Sequence, residues 1–258
     1  MRFCSLGSGS SGNATVVEVR SGGSRSRVLI DAGFSLRELE FRLGRAGLAA
    51  SELNALFVTH EHGDHIGCAV ALARRHRIPL WMSRGTWRAI GAPAVDDLLH
   101  FARDGQAITV GDLRLQPYTV PHDAAEPLQL RCSDGANSLG VLTDAGSATP
   151  HLLAQLQGCQ ALLLECNHDR ELLAASHYPA SLKARVGGRH GHLANDTAAG
   201  ILSACMHAGL TQLVAAHLSE HNNRPELARQ ALSTAGGCEA HEIVVAHPHT
   251  GTAWIDVG

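Results

Sequence analysis

The chain has 258 residues, of which 45% are hydrophobic and 17% are charged. This composition can supply a folded core and excludes an intrinsically disordered chain. The formal net charge of -3 excludes a global basic field for polyanions, so a nucleic-acid substrate would need metal ions and a local patch to hold it.

Two strands are predicted at the amino terminus, over residues 2–6 and 15–19, and a glycine-serine loop joins them. The loop lacks the Lys-Ser/Thr ending of a nucleotide-binding P-loop, so we expect a tight hairpin there. Asn13, at the end of this loop, is a candidate substrate-binding residue. A buried strand is predicted over 28–30, and the spacing of leucines predicts a helix over 36–45.

Four metal-binding side chains follow the apolar strand that we predict over residues 54–58: His60, His62, Asp64 and His65. Alternate positions of an extended chain face the same way, so His60 and His62 can reach one metal ion together. After a tight turn, Asp64 and His65 can reach a second ion. Imidazole and carboxylate ligands suit zinc, iron or manganese in a hydrolytic site. We disfavour the alternative, a surface cluster of histidines, because the group directly follows a buried strand.

The next stretch predicts a helix over 66–75, a strand over 80–82 and a short helix over 86–90. Three further strands, expected to form a meander, are predicted over 107–110, 113–120 and 128–132. Each early element has a later counterpart of the same type, as expected for two αβ halves that pack sheet against sheet.

Three more candidate ligands stand at the ends of later predicted strands: His122, Asp144 and His217. A lone histidine in such a place is more often a hydrogen-bonded structural residue. These three residues therefore indicate a metal site only when they are taken together with the four candidate ligands that precede them.

A local basic cluster lies in the otherwise acidic chain, at Lys183, Arg185, Arg189, His190 and His192. A helix is predicted after it, over 196–207, with Asn195 as N-cap and Gly209 at the C′ end. A helix N-terminus beside Arg and His side chains is a ready anion site. The candidate substrate-binding residues are therefore Lys183, Arg185, Asn195 and, with a structural role equally open, His168. The alternative is a solvated loop before an ordinary helix.

The pattern HxHxDH at residues 60–65 resembles the signature of the metallo-β-lactamase superfamily. Members share an α/β fold, a four-layer αβ/βα sandwich in which helices flank two mixed β-sheets. The resemblance implies this fold for the chain. We expect a single domain over residues 1–258, because no internal repeat and no low-complexity linker is present.

The resemblance also implies two divalent metal ions and divides the ligands between them. It assigns the first ion to His60, His62 and His122, the second to Asp64, His65 and His217, and both to a bridging Asp144. Asp31 matches an early Asp-Gly motif whose aspartate usually supports the ligands through hydrogen bonds. The histidine-rich set favours zinc and is compatible with manganese.

Within the superfamily, the chain resembles the YycJ-like (WalJ-like) subgroup through LGSGSSGNA at 6–14, ECNHD at 165–169, GHLAND at 191–196 and AHLSEHNN at 216–223. Members of this subgroup are regarded as metal-dependent nucleases with 5′-exonuclease action on DNA. Flavodiiron proteins place Glu where His62 stands, and class B β-lactamases are usually secreted, so both are disfavoured. The 72 residues between Asp144 and His217 are too few for the β-CASP insertion of other nucleases.

This resemblance leads to a mechanistic hypothesis, in which a hydroxide that bridges the two metal ions attacks a phosphodiester in line. Asp64, Asp144 and His192 are the candidate catalytic residues, and His192 either protonates the leaving oxygen or clamps a phosphate. DNA is favoured over RNA as the substrate. The alternative is a hydrolase of small esters or thioesters, of the glyoxalase II or lactonase kind. A metal-binding regulatory module without turnover is a second alternative.

The seven cysteines are scattered and none forms a CxxC pair, so neither a disulfide framework nor a zinc knuckle is expected. Most should be small buried residues in a reducing cytosol. The sequence shows no basic-then-apolar leader and no run of membrane-spanning length. We therefore expect a cytoplasmic protein with no membrane partner, as a monomer or a homodimer.

Overall fold

The computed structural model describes residues 1–258. Its strands are β1 (Arg2–Gly7), β2 (Ala14–Ser21), β3 (Ser24–Ile30), β4 (Ala55–Phe57), β5 (Leu80–Met82), β6 (Leu99–Phe101), β7 (Ile108–Val110), β8 (Leu113–Thr119), β9 (Leu128–Ser133), β10 (Ser138–Leu142), β11 (Ala161–Glu165), β12 (Gln212–Ala216), β13 (Val244–Val245) and β14 (Ile255–Asp256). Its α-helices are α1 (Leu36–Arg45), α2 (Gly63–Ile66), α3 (Ala69–His76), α4 (Arg84–Ala89), α5 (Pro150–Leu156), α6 (Arg170–Ala175), α7 (Ala180–Val186), α8 (Asn195–Cys205) and α9 (Pro225–Gly236). None of these helices is both long and apolar enough to span a bilayer.

The strands form two mixed sheets of seven strands each. The first has the order β14-β1-β2-β3-β4-β5-β6, and the second has the order β13-β12-β11-β10-β9-β8-β7. In each sheet one half is antiparallel and the other half is parallel, with β3 to β6 parallel in the first and β10 to β13 parallel in the second. The antiparallel run of β7, β8 and β9 confirms the predicted meander.

Three apolar layers hold the sheets and helices together. Because side chains alternate along a strand, Val28 and Ile30 of β3 pack between the two sheets, whereas Leu29 packs against the outer helices α1 and α3. On the far side of the second sheet, Leu164 of β11 packs with Ile201 of α8. Strands covered on both faces are apolar almost throughout. The result is the predicted four-layer αβ/βα sandwich.

The helix predicted over 66–75 starts later than expected, at Ala69 as α3, because Ile66 ends the separate helix α2 and the chain breaks at Gly67 and Cys68. Gly67 has φ of 28°, and a Cβ at this position would overlap the carbonyl oxygen of Ala32. The Cys68 N–H donates to that same oxygen at 3.0 Å. The break therefore lets the signature segment pack directly on the turn that follows β3.

The predicted caps of the later helix are also wrong. Helix α8 begins at Asn195 with Ala194 as its N-cap, and it ends at Cys205, so Gly209 is not its C′ residue. The Asn195 side chain is taken by Asn223, with which it exchanges two amide hydrogen bonds of 2.9 Å. This tertiary pairing removes the Asn195 side chain from the capping position.

Two local predictions are confirmed. Helix α1 spans Leu36–Arg45 as expected, and the Ser35 hydroxyl accepts a hydrogen bond from the Glu38 N–H at its start. All seven cysteines are free thiols, and only Cys238 is exposed.

Candidate metal centre

The segments that follow the carboxyl ends of β1, β3, β4, β8, β10, β11 and β12 meet at one end of the sandwich, as strand ends do in α/β sites. They surround a cleft of about 350 Å³. The cleft is lined by Ser10, His62, Gly63, Asp64, Asp123, Asp144, Leu182, Arg185, Val186, Gly191, His192 and His217. Side chains from both sheets therefore share one solvent-accessible space.

His60, His62 and His122 form the first group of potential ligands, with one ring nitrogen from each within 4.8 Å of the others. His62 Nδ1 and His122 Nε2 face each other at 3.2 Å. The other nitrogen of His122, Nδ1, lies 2.9 Å from the carbonyl oxygen of Gly191, which accepts its proton and leaves Nε2 available. Burial lowers the pKa of His60 and of His122, so both rings are neutral and can offer a lone pair.

Asp64, His65 and His217 form the second group. Nε2 of His65 and Nε2 of His217 each lie 3.5 Å from Oδ2 of Asp64. The Asp144 carboxylate lies beside the same two rings, with Oδ2 at 2.6 Å from His65 Nε2 and Oδ1 at 2.9 Å from His217 Nδ1. Since Asp144 also groups with His60, its carboxylate borders both sets of ligands.

Several buried atoms of this centre have no hydrogen-bond partner: His60 Nε2, Asp144 Oδ2 and both ring nitrogens of His217. Buried polar atoms without partners cost free energy, and native proteins keep few of them. The approach of Asp144 Oδ2 to His65 Nε2 lacks hydrogen-bond geometry, because that oxygen is among the unpaired atoms. Converging nitrogen and carboxylate atoms without other partners fit divalent transition-metal ions.

Asp31 orients the ring of His65. Its carboxylate accepts hydrogen bonds from the Thr59 N–H at 2.8 Å and from the Thr59 hydroxyl. The same carboxylate lies 2.8 Å from Nδ1 of His65, which donates to it, so that Nε2 faces Asp64 and Asp144. Asp31 belongs to none of the potential ligand groups.

Three residues of the centre have left-handed backbone conformations within two residues of a strand end. Their φ angles are 63° at Asp31, 54° at Asp144 and 53° at His217. Such a conformation costs a residue other than glycine about 1–3 kcal/mol and persists only where the surroundings fix it. The bends turn these side chains away from the strand direction and into the centre.

Glu165, at the end of β11, was given no role by the sequence analysis. It is fully buried and accepts hydrogen bonds from the Ala145 N–H at 2.9 Å and the Leu193 N–H at 3.2 Å. It also lies 2.8 Å from His192 Nδ1, which donates to it. The only available signal was an acidic residue at a strand end within the motif ECNHD.

Glu61, between the first two histidines of the signature, has a role that the sequence did not predict. Its carboxylate accepts hydrogen bonds from the Ala125 N–H at 2.6 Å and from the Thr86 hydroxyl at 3.5 Å. Ala125 belongs to the loop that carries His122. Glu61 thus ties the two ligand-bearing loops of the first group together, through a contact that no sequence pattern predicts.

The candidate substrate-binding residues lie in different surroundings. Arg185 lines the cleft, where its Nε donates to Asp123 Oδ2 at 2.5 Å. Lys183 is outside the cleft lining and donates from Nζ to the Ala174 carbonyl at 2.6 Å. Asn13 is buried against the second group of ligands, and its Nδ2 donates to Asp64 Oδ2 at 3.3 Å.

Asn195 and His168 are both buried and lie outside the cleft lining. The Asn195 amide is paired with Asn223, and Nδ1 of His168 has no hydrogen-bond partner. Burial lowers the pKa of His168 to about 4, so its ring is neutral at pH 7. His192, in contrast, lines the cleft beside Asp144 and His217.

Comparisons with known proteins identify a family for this chain. A family model described as Beta-lactamase superfamily domain matches residues 26–218. Exodeoxyribonuclease YycJ of Bacillus anthracis is 34% identical over 237 residues, which are 90% of this chain and 88% of that protein. Exodeoxyribonuclease WalJ of Streptococcus pneumoniae is 30% identical over 236 residues, which are 90% of this chain and 86% of that protein.

Solved structures show the same fold at lower identity. The metallo-β-lactamase fold protein YhfI from Bacillus subtilis superposes with a TM-score of 0.74 at 18% identity, and 98% of each chain is covered. Zn²⁺-bound PqqB from Methylobacterium extorquens superposes with a TM-score of 0.73 at 17% identity, covering 99% of this chain and all of that one.

Proposed function

The chain belongs to the metallo-β-lactamase superfamily, in its YycJ- and WalJ-like group of metal-dependent hydrolases, and from that premise we propose that it removes nucleotides from the 5′ end of DNA. The observation that carries the proposal is the convergence of buried histidine and aspartate side chains with unpaired atoms at one cleft. The names of the relatives, both exodeoxyribonucleases, support DNA as the substrate.

In the proposed site His60, His62 and His122 would hold one divalent ion, and Asp64, His65 and His217 would hold the other, with Asp144 shared. Bound there, divalent ions supply Lewis acidity that activates water and neutralises charge on a phosphodiester oxygen. The nitrogen-rich set of ligands favours zinc. The carboxylates of Asp64 and Asp144 make the site compatible with manganese as well. Hydrogen bonds to the carboxylates of Asp31 and Glu61 would hold the ligand-bearing loops in place.

His192 is the proposed proton donor. Burial opposes its charged form, but the Glu165 and Asp144 carboxylates outweigh burial and raise the pKa of His192 to about 9. This raised pKa favours the protonated ring, with a proton on each nitrogen. Because Nδ1 is bound to Glu165, Nε2 is the nitrogen left to protonate the leaving 3′-oxygen.

We also propose a domain organisation, a cellular location and a partner for this enzyme. We infer that the chain acts as one catalytic domain over residues 1–258, without an inserted second domain, and that it works in the cytoplasm. DNA is its proposed partner, in preference to RNA. A monomer or a homodimer is its proposed assembly state.

A substrate panel tests this function. Protein loaded with zinc or with manganese is incubated with 5′-phosphorylated single-stranded DNA, with RNA of the same sequence and with a thioester. We expect 5′-mononucleotides from DNA, slower release from RNA and no thioester hydrolysis. Asp144→Ala should lose both metal content and activity. Thioester hydrolysis without DNA hydrolysis would overturn the proposal in favour of the small-ester alternative.

A further inference from the structure

Two aromatic rings from separate segments meet near the cleft, and the proposed chemistry does not use either of them. Tyr178 precedes α7, and His221 lies in the loop after β12. Their ring centroids are 6.3 Å apart with an interplanar angle of 76°. Neither the Tyr178 hydroxyl nor the His221 ring forms a hydrogen bond within the protein. His221 is exposed and Tyr178 is partly exposed.

Both segments also form walls of the cleft. Helix α7 contributes Leu182, Arg185 and Val186 to the cleft lining, and Tyr178 directly precedes Pro179, the N-cap of this helix. The segment after β12 contributes His217, and His221 lies four residues further on. The two rings therefore meet between these two segments, next to the cleft lining, to which neither residue belongs.

The loop that carries His221 is firmly anchored. The Ser219 N–H donates to the Asn167 carbonyl at 2.8 Å, and the Asn222 carbonyl accepts from the Asp169 N–H at 2.9 Å. Asn222 and Asn223 are buried, whereas His221 between these anchors faces solvent. Because the backbone on both sides of His221 is fixed, less conformational freedom is lost when a ligand stacks on this ring.

Tyr178 does not belong to the buried hydrophobic core. The chain has only two tyrosines, and the other, Tyr118, is fully buried with its hydroxyl bound to the Val141 carbonyl at 2.7 Å. Tyr178 has no such bond and stands in a chain with only 4% aromatic residues. A partly exposed tyrosine next to a cleft lining, with a hydroxyl that has no partner in the protein, suits a planar ligand.

We propose that Tyr178 and His221 form a stacking platform for a nucleobase of single-stranded DNA, next to the phosphodiester that enters the cleft. This proposal rests on the proposed nuclease function. Aromatic rings stack on every base and contribute about 1–3 kcal/mol per base, without sequence preference. The platform selects single strands, because the faces of a base inside a duplex are already covered by its neighbours.

The test compares two oligonucleotides, an intact 5′-phosphorylated single strand and the same strand with abasic sites at its first positions. For the intact strand we expect Tyr178→Ala to raise KM by roughly tenfold or more, from the stacking energy lost, with kcat little changed. For the abasic strand the variant and the wild type should have the same KM. Tyr178→Phe should behave as wild type on both strands, and His221→Ala should show a smaller rise on the intact strand only.

Two controls separate the outcomes. Phe41 is 61% exposed on α1, away from the cleft lining, so Phe41→Ala should leave both KM values unchanged. An equal rise in KM for the intact and the abasic strand with Tyr178→Ala would overturn the platform, while DNA hydrolysis by the wild type would still uphold the nuclease. If the wild type hydrolysed neither strand, the nuclease function would fall, and the platform with it.

Discussion

At the residue scale, the surroundings of His192 suit a metal ligand as well as a proton donor. One of its nitrogens lies within 4.8 Å of atoms of Asp144, Glu165 and His217. We expect His192→Ala to lower kcat by roughly 10²–10⁴-fold, the usual loss of a general acid, while the metal content per chain stays unchanged. Elemental analysis beside steady-state kinetics checks this, with the exposed His247→Ala as control. A lost ion would instead make His192 a ligand.

Glu61 gives a second prediction at this scale. Removing its carboxylate in Glu61→Ala frees the Ala125 N–H and loosens the loop that carries His122. We expect zinc affinity to fall by roughly 10–100-fold, as for other groups that orient ligands. A competition titration against a chromogenic chelator measures this. Glu61→Gln should keep most of the affinity, because its amide oxygen still accepts from Ala125, and an unaffected Glu61→Ala would contradict the role.

At the scale of elements, the turn after β3 depends on a close approach of two backbones. A Cβ at Gly33 would overlap the carbonyl oxygen of Asp64. We expect Gly33→Ala to destabilise the fold by about 1–3 kcal/mol, as overpacking does, and to lower occupancy of the second metal position. At Gly44, in helix α1, an added Cβ would meet no atom within 4 Å, so Gly44→Ala should be neutral or stabilising by up to about 1 kcal/mol. Urea unfolding of both variants, with metal analysis, decides between these outcomes.

Strands β1, β2 and β3 share a buried ion cluster that makes stability depend on pH. Burial would raise the pKa of Glu18, but hydrogen bonds from Arg2, Arg27 and Arg20 outweigh it and lower the pKa from 4.5 to about 2. This stabilisation is complete above pH 4.5 and is lost as the pH falls towards 2. It amounts to at most about 3 kcal/mol, reduced by solvent around the half-exposed Arg20.

Urea unfolding at pH 7, 4 and 3 tests the cluster. The wild type should lose stability across this range, and Glu18→Gln should be less stable at pH 7 but lose less on acidification. Glu220→Gln, at an exposed position outside the cluster, should follow the wild type. A parallel loss in the wild type and in Glu18→Gln would show that other carboxylates govern the acid response.

The elements that the sequence predicts well are those decided by local contacts. Helix α1 has its apolar spacing and its Ser35 cap within one segment, so its bounds were predictable. The break at Gly67 and the start of α8 depend on distant partners, Ala32 and Asn223. The likeness to a family suggested which residues would meet, but the hydrogen bonds of Glu165 and Glu61 arise only when strands far apart in the chain are brought together.

At the scale of the whole molecule, the proposed ligands come from both sheets. His60, His62, Asp64 and His65 follow β4 of the first sheet, whereas His122, Asp144 and His217 follow strands of the second. Bound ions would therefore link the two halves, and a ligand that binds only the folded state raises its stability. We expect zinc to raise the Tm of chelator-treated protein. At a free zinc concentration of one hundred times Kd, the free energy of unfolding should increase by about 2.7 kcal/mol.

Calorimetry of metal-free and reloaded protein measures this shift. Asp144→Ala should remove most of it, whereas Asp97→Ala, at an exposed carboxylate that belongs to no potential ligand group, should keep it. A Tm that does not respond to zinc would show that the two halves are not joined through the centre.

The position of His217 has a consequence for how the protein is made. It comes 152 positions after His65, so a ribosome must release the chain past His217 before the second proposed ligand set is complete. A nascent or prematurely terminated polypeptide holds the HxHxDH segment but lacks this last imidazole. Under the proposed assignment, a chain released only as far as Asp144 therefore lacks a complete centre for hydrolysis.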